Sequence, residues 1–283
     1  MPRIGVIDSA VSQCAGRSKP LSPKSSSATD RPSQGQPWRP NRKWFAALLF
    51  RSARVGTVTA PNGSSWSAQL WREIEPIFDA VVRHPFLTGL TDGTLETDVF
   101  GHYVAQDVHY LRDYARTLAL VGAKSPTLAD TAMFSRHAIG VVDGELALHA
   151  GLLPDLDLDP ASIAATPVGP TTLAYTSYLL ATTYAGTFAE GLAVIVPCYW
   201  IYAEVGKHLV EKGSPDPRFQ RWIDTYAGDE FAASVNEVLE LVDRVGPTLG
   251  AEEEARARMH FTTTARYEWM FFDASYRRES WPV

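Results

Sequence analysis

Cysteine, uninterrupted apolar runs and positive charge on the folded part are what this 283-residue chain has least of. Its two cysteines are Cys14 and Cys198. Cys14 lies in a Ser-, Pro- and Arg-rich stretch, which leaves one thiol for the remainder. That excludes an intrachain disulfide there and fits a reducing compartment. No apolar run approaches the about 20 residues needed to cross a bilayer, so no membrane association is expected. Charge is unevenly spread. Residues 1–60 carry ten Lys/Arg against two Asp/Glu, whereas residues 61–283 carry sixteen against thirty. The larger part is therefore acidic and offers no basic face for a nucleic-acid backbone. There is also no Gly-rich phosphate loop, CxxC, GxSxG or HExxH motif.

Residues 1–62 read as a basic Ser/Pro/Arg-rich tail, and residues 63–283 as one helical domain. The tail's apolar patch, Trp44 to Phe50, is too short and too late for a secretory signal. An over-extended start is compatible with the same composition. No methionine lies between Met1 and Met133, so a later start needs a non-Met codon such as that of Val55 or Val58. A cytoplasmic location is expected; organellar import directed by the tail is the alternative. Removing residues 1–60 is expected to leave folding and activity intact.

From Ser65 onward the apolar spacing is helical almost throughout, which predicts an all-α single-domain bundle. Ser64 or Ser65 can cap a helix carrying Leu70, Ile74, Ile77, Phe78 and Val81, closed by His84-Pro85. Gly89 to Leu95 reads as a turn. Helices follow over about 97–121 and 127–151, the latter ending at a glycine. Leu152 to Pro170 holds four prolines and reads as a loop. Further helices are expected over about 171–183, 186–212, 217–226, 228–245 and 251–276.

Several polar residues sit where an apolar side chain is the default. Cys198 lies in Ala193-Val194-Ile195-Val196-Pro197-Cys198-Tyr199-Trp200-Ile201-Tyr202. It reads either as a small core residue or as a nucleophile. Asp107 and Tyr110 lie three apart and share a helix face, beside Ala105, Val108 and Leu111. Asp107 reads as a surface charge paired with Arg112 or Arg116, or as a buried carboxylate at a cavity. Tyr175 and Tyr178 share a face of a later helix, and Tyr226 precedes a helix-to-helix junction at Ala227-Gly228-Asp229. Glu268 lies in Tyr267-Glu268-Trp269-Met270-Phe271-Phe272, either at a rim or buried. Burial would disfavour its ionised form and suit it to proton transfer near neutrality. Glu145 and His149, at i and i+4, could ligate a metal, but no second matching pair is evident.

Taken in order, these segments resemble the TenA family, also called thiaminase II or aminopyrimidine aminohydrolase, in its cysteine-bearing branch. The resemblance spans about residues 66–281. It is carried by His84-Pro85-Phe86 with Leu90-Thr91-Asp92-Gly93-Thr94-Leu95, and by Tyr103-Val104-Ala105-Gln106-Asp107. It continues through Glu145 with His149, Tyr175-Thr176-Ser177, Pro197-Cys198-Tyr199-Trp200-Ile201-Tyr202, Trp222-Ile223-Asp224-Thr225-Tyr226, and Tyr267-Glu268 with Phe271. Each is weak alone; their order and distances carry the argument.

The resemblance implies a heme-oxygenase-like fold assembled as a homotetramer, with no cofactor and no metal. It implies hydrolysis of aminomethylpyrimidine, and in some members of thiamin, to hydroxymethylpyrimidine in thiamin salvage. Matched residue by residue, Cys198 is the nucleophile and Glu268 the acid/base. Asp107 is both catalytic and substrate-binding: it holds the amidine edge of the ring and helps to activate the thiol. Tyr110, Tyr175, Tyr202, Tyr226 and Phe271 bind the substrate. Position 109 departs from the pattern, with histidine where an aromatic hydroxyl or ring is common. It should face away from Asp107 with little effect.

Two other function classes compete with this expectation. One is a metal-dependent oxidase on the same fold, built on Glu145, His149 and further carboxylates. The other is a non-catalytic pyrimidine-binding or regulatory protein.

Overall fold

The computed structural model describes residues 56–59, 63–155 and 159–283, with only the backbone of 145–150, 152 and 164. Most of the expected tail lies outside the described residues. Those described form an all-α bundle with no strand among them. Ten α-helices run in order: α1 (Trp66–Val82), α2 (Pro85–Asp92), α3 (Thr97–Lys124), α4 (Leu128–Asp155) and α5 (Pro160–Ala165). They continue with α6 (Pro170–Ala185), α7 (Phe188–Val210), α8 (Pro217–Ala227), α9 (Asp229–Val245) and α10 (Ala251–Tyr276). A short 3-10 turn, Gly246–Thr248, joins α9 to α10.

Local chemistry sets most boundaries. Ser65 caps α1 by accepting from the Ala68 amide, and Ser67 binds Asp243 with its amide and hydroxyl at 2.8 and 2.9 Å. A capping box between Thr187 and Glu190 opens α7, and the Glu190 carboxylate also binds Arg256 of α10. Asp216 caps α8, with proline at the first helical position. The centre of the bundle is α7, which packs on α10, α8, α6, α9 and α3.

Helix α7 meets the length and composition of a membrane span, contrary to the reading that no segment of the chain does. Its most apolar window is 83% buried inside the bundle, which accounts for the composition: a helix covered on every side is apolar all round.

Three other expectations are corrected. Gly89 to Leu95 is not simply a turn. Pro85–Asp92 is helical, because Phe86, Leu87 and Leu90 are buried on one side, and the turn proper begins at Gly93. Gly93 needs its φ of 67°, and a Cβ there would lie 2.6 Å from Pro215 Cγ. Helix α4 does not stop at Gly151 but continues to Asp155, and Leu153 in that last turn is fully buried. The proline-rich stretch 152–170 contains α5, started by Asp159 accepting from the Ala161 and Ser162 amides ahead of Pro160.

The domain also takes in residues upstream of position 63. Gly56 N–H donates to Ala227 O at 2.7 Å, Val58 is buried, and Asn236 brackets the segment through Thr57 O and the Thr59 amide. A Cβ at Gly56 would come within 2.6 Å of Gly228 O and of Ala232 Cβ, so only glycine lets the strap lie this close to α9.

Candidate active site

One stripe of α3 supplies a wall of the site. Tyr103, Asp107, Tyr110 and Tyr114 follow one another at helical spacing, and all four are buried. The two candidates on the C-terminal helix, Glu268 and Phe271, sit on a similar stripe, with Phe261, Thr264 and Ser275 also buried in α10. Tyr175 comes from α6, Cys198 and Tyr202 from α7, and Tyr226 from the end of α8. The loop before α6 is held by Gln106. Its amide group donates to Pro167 O at 3.0 Å and accepts from Gly169 N–H at 2.8 Å. From the other side, Glu279 accepts from the Thr171 amide and Trp281 Nε1 donates to Val168 O. These bonds place α6, and with it Tyr175.

Of the site residues expected from the sequence, Asp107, Tyr110, Tyr175, Tyr202, Glu268 and Phe271 are buried, and Cys198 and Tyr226 are half-buried against the same core. Glu268 is 1% exposed, which rules out the rim reading. The Tyr175 hydroxyl donates to Glu268 Oε1 at 2.6 Å. Burial drives the Glu268 carboxyl up to about 8. The Tyr175 hydrogen bond opposes this and the Asp107 carboxylate adds to it. Asp107 is 8% exposed rather than a surface charge; Arg116 pairs with Asp113 instead. Burial, and next the Asp107 carboxylate, hold the Tyr226 hydroxyl well above the usual phenol range.

Cys198 is a free thiol in contact with the core. Burial raises its pKa well above the ordinary thiol value, and the Glu268 carboxyl raises it further. Hydrogen bonds with Tyr110 and Tyr114 work in the opposite direction, and Asp107 raises it again. An isolated thiol here is therefore unreactive until a proton acceptor is supplied.

The remaining residues form aromatic walls. Tyr110 lies 5.1 Å from Tyr175 and 5.7 Å from Phe271, ring centre to ring centre. Tyr202 lies 4.7 Å from Tyr226, and its hydroxyl is 3.1 Å from that of Tyr103. Tyr175 stacks on Tyr267 at 5.0 Å with the rings nearly parallel. The pairing of Tyr202 with Tyr226 depends on Gly206, one turn further along α7. A Cβ there would lie 2.5 Å from the Tyr226 carbonyl carbon. Glycine thus brings the α8–α9 corner against α7 at the height of the site.

Tyr103, Tyr114, Tyr199 and Trp222 share this environment, although the sequence reading did not name them as site residues. Trp222 packs on Tyr226 at 4.8 Å, and Tyr114 hydrogen-bonds Ile195 O at 2.9 Å. The signal for Tyr114 was available: it stands four residues beyond Tyr110 on the face already assigned to Asp107. His109 points elsewhere, its Nε2 donating to Thr166 O at 2.7 Å.

The side chains of Glu145 and His149 lie outside the described residues. Among the described residues, no group of three or more His, Cys, Asp or Glu side chains converges as a metal site.

Comparison with known proteins agrees with this geometry. The TENA/THI-4/PQQC family model matches residues 71–278. The aminopyrimidine aminohydrolase of Bacillus subtilis (strain 168) is 36% identical over 198 residues, covering 70% of this chain and 84% of that protein. The aminopyrimidine aminohydrolase of Halalkalibacterium halodurans is 34% identical over 219 residues, covering 77% and 98%. A TenA homologue from P. horikoshii OT3 superposes with a TM-score of 0.70 at 29% identity, over 75% of this chain and 99% of its own. A domain with a heme oxygenase-like fold from Shewanella denitrificans OS217 superposes with a TM-score of 0.61 at 17% identity, over 75% and 92% of the two chains, and speaks to the fold alone. With the family model spanning α1 to α10, this chain is a member of the TENA/THI-4/PQQC family with an all-α, heme-oxygenase-like fold.

Proposed function

We propose that the protein is an aminopyrimidine hydrolase of thiamin salvage. It would convert aminomethylpyrimidine and water to hydroxymethylpyrimidine and ammonia, with Cys198 as nucleophile. The observation that carries the reading is the convergence of Cys198, Glu268 and Asp107, from three different helices, among the rings of Tyr110, Tyr175, Tyr202, Tyr226 and Phe271. The names of the relatives support the substrate class.

The parts suit the chemistry. A flat heteroaromatic ring needs aromatic walls, which Tyr110, Phe271, Tyr202 and Tyr226 provide. Its amidine edge, with an acceptor ring nitrogen and an amino donor, is matched by the Asp107 carboxylate. Addition of the Cys198 thiolate to the ring carbon next to the methylene-bearing carbon places an electron pair in the ring. That pair expels the amine from the methylene carbon. Water then adds to the methylene, the thiolate is expelled and aromaticity returns. Glu268 is positioned as the acid. With its carboxyl at about 8 it holds a proton at neutral pH and can deliver it to the ring or the departing amine.

A second copy of the chain is the expected partner, in a homotetramer, and a cytoplasmic location remains part of the proposal. The test is ammonia release from aminomethylpyrimidine by the purified protein, with Cys198→Ala and Glu268→Gln alongside. The reading requires release that disappears in Cys198→Ala while the variant stays folded. Release that persists would keep the reaction but remove Cys198 from its central role. No release from aminomethylpyrimidine or thiamin by the unmodified protein would sink the reading.

A further inference from the structure

Trp222 of α8 brings to the site a buried donor that the protein itself does not use. The residue is 6% exposed, and its Nε1 is enclosed with no hydrogen-bond partner among the described residues. Ring centre to ring centre, Trp222 lies 4.8 Å from Tyr226, 6.0 Å from Tyr103 and 6.1 Å from Tyr202. An indole N–H buried without an acceptor is costly, and phenylalanine would fill such a wall without that cost.

A second polar group in the same place is as hard to explain by packing. Tyr103 is buried among the rings of Phe86, Phe100, Phe271, Phe272 and Trp222, with ring centres 5.0 to 6.1 Å away. Its hydroxyl lies 3.1 Å from that of Tyr202. Burial holds both hydroxyls well above the usual phenol range, so both keep their hydrogens at neutral pH. Where Tyr202 donates to Tyr103, a lone pair of the Tyr202 oxygen stays available to a ligand.

The chemistry of the substrate says what this corner is for. The amidine edge of the pyrimidine is matched by Asp107, the proton of Glu268 serves the other ring nitrogen or the departing amine, and Cys198 adds to a ring carbon. The ring methyl is apolar. One polar position remains, the atom carried by the methylene carbon, three bonds from the carbon that Cys198 attacks. Tyr202 stands one helical turn, about 5.4 Å, beyond Cys198 on α7.

We infer that Trp222, together with Tyr202 as oriented by Tyr103, holds the oxygen that joins the methylene carbon, first as water and then as the product hydroxyl. This rests on the hydrolase reading and deepens it. The oxygen accepts from Trp222 Nε1 and gives one hydrogen to the Tyr202 oxygen, which leaves the water a lone pair for the methylene carbon. The product hydroxyl makes the same two bonds. Trp222 and Tyr202 are thus ligand-binding residues, and Tyr103 is a positioning residue that acts through Tyr202.

The test compares two ligands that differ by this oxygen alone: hydroxymethylpyrimidine and the analogue with methyl in place of hydroxymethyl. Their dissociation constants are measured by calorimetry on the unmodified protein, Trp222→Phe and Tyr103→Phe, with ammonia release from aminomethylpyrimidine in parallel. The unmodified protein is expected to prefer the hydroxymethyl ligand. Trp222→Phe should shrink that preference on the order of tenfold and leave affinity for the methyl analogue in place. Tyr103→Phe should shrink it by less, and decides the matter alone if Trp222→Phe does not fold. In steady state kcat should fall with little change in KM, because the protonated amine of the substrate has no lone pair to accept from Trp222. Both ligands weakened alike would assign Trp222 to packing and overturn the inference, as would an unmoved preference in the folded variants. Ammonia release with an unmoved preference sinks this inference and keeps the hydrolase. The expected preference without ammonia release keeps the oxygen site and sinks the hydrolase. Binding of neither ligand to the unmodified protein sinks both.

Discussion

The Tyr175 hydroxyl donates a 2.6 Å hydrogen bond to Glu268 Oε1 across 93 residues of sequence, from α6 to α10. This bond is the one stabilising contact resolved for a carboxyl that burial otherwise strongly disfavours in its charged form. The protein thus keeps an acid in its core at a cost in stability, as functional sites commonly do.

The cost has a pH signature. In the unfolded chain Glu268 ionises near 4.5, and in the folded protein near 8. Between these values the folded state holds a proton that the unfolded state has released. The associated stability is fully present below the unfolded value and is lost as pH rises through about 8. Glu268→Gln removes the titration and is expected to be the more stable protein. Its advantage at pH 7 is about 3 kcal/mol at most, before any loss from altered hydrogen bonding. Melting temperatures at pH 5 and pH 8 check this: the gap in favour of the variant should widen at pH 8. A gap independent of pH would contradict the buried acid.

Removing the donor has the opposite consequence. Tyr175→Phe leaves Glu268 buried without the bond that favours its anion, so its pKa should rise further. Stability is expected to drop by about 1–3 kcal/mol for the orphaned group. In the pH profile of kcat, the limb governed by Glu268 should move to higher pH. A profile that keeps its place while kcat falls would assign Tyr175 to packing instead.

Gly206→Ala tests the close approach of α7 to the α8–α9 corner. The added methyl would meet backbone atoms of Tyr226 and Ala227, which cannot rotate away as a side chain can. A loss of about 1–3 kcal/mol is expected from overpacking. Because Tyr226 is displaced from Tyr202, KM for the pyrimidine should rise more than kcat falls. Thermal unfolding together with steady-state kinetics separates the two effects.

The strap at residues 56–59 revises the expectation that residues 1–60 are dispensable. Deleting residues 1–62 removes the buried Val58 and the bonds to Ala227 and Asn236, whereas deleting 1–55 keeps them. The longer deletion should be less stable than the shorter by about 2–4 kcal/mol, from one buried valine and its hydrogen bonds. Equal denaturation midpoints would mean that the strap contributes nothing.

Cys198, Glu268 and Asp107 stood out in the sequence as candidates because each is polar within an apolar helical run, where a buried polar group needs a partner or a purpose. The tyrosines beyond the expected set were harder to assign. Tyr199 is as compatible with plain core packing as Phe100 or Phe272, and nothing in its immediate neighbours distinguishes it; Tyr114 differs only in sharing the helix face of Asp107 and Tyr110. Their partners lie far off in sequence, Ile195 at 81 positions from Tyr114 and His137 at 62 from Tyr199.

Secondary structure shows the same division. Helix boundaries written in local chemistry, such as Ser65, the Thr187–Glu190 box and Asp216-Pro217, are set by side chains reaching their own backbone neighbours. The helicity of Pro85–Asp92 and the continuation of α4 past Gly151 reflect burial of Leu87, Leu90 and Leu153 against other helices, which outweighs the glycine and proline signals. The sequence by itself therefore determined the all-α class, the amphipathic stripes and the presence of polar side chains within apolar helices, because these depend on spacing within one helix. Only the tertiary structure decided which tyrosine hydroxyl meets Glu268 and which rings stand against one another around it. Those relations depend on how separate helices pack, and that is fixed by close approaches such as Gly206 against Tyr226 rather than by any local pattern.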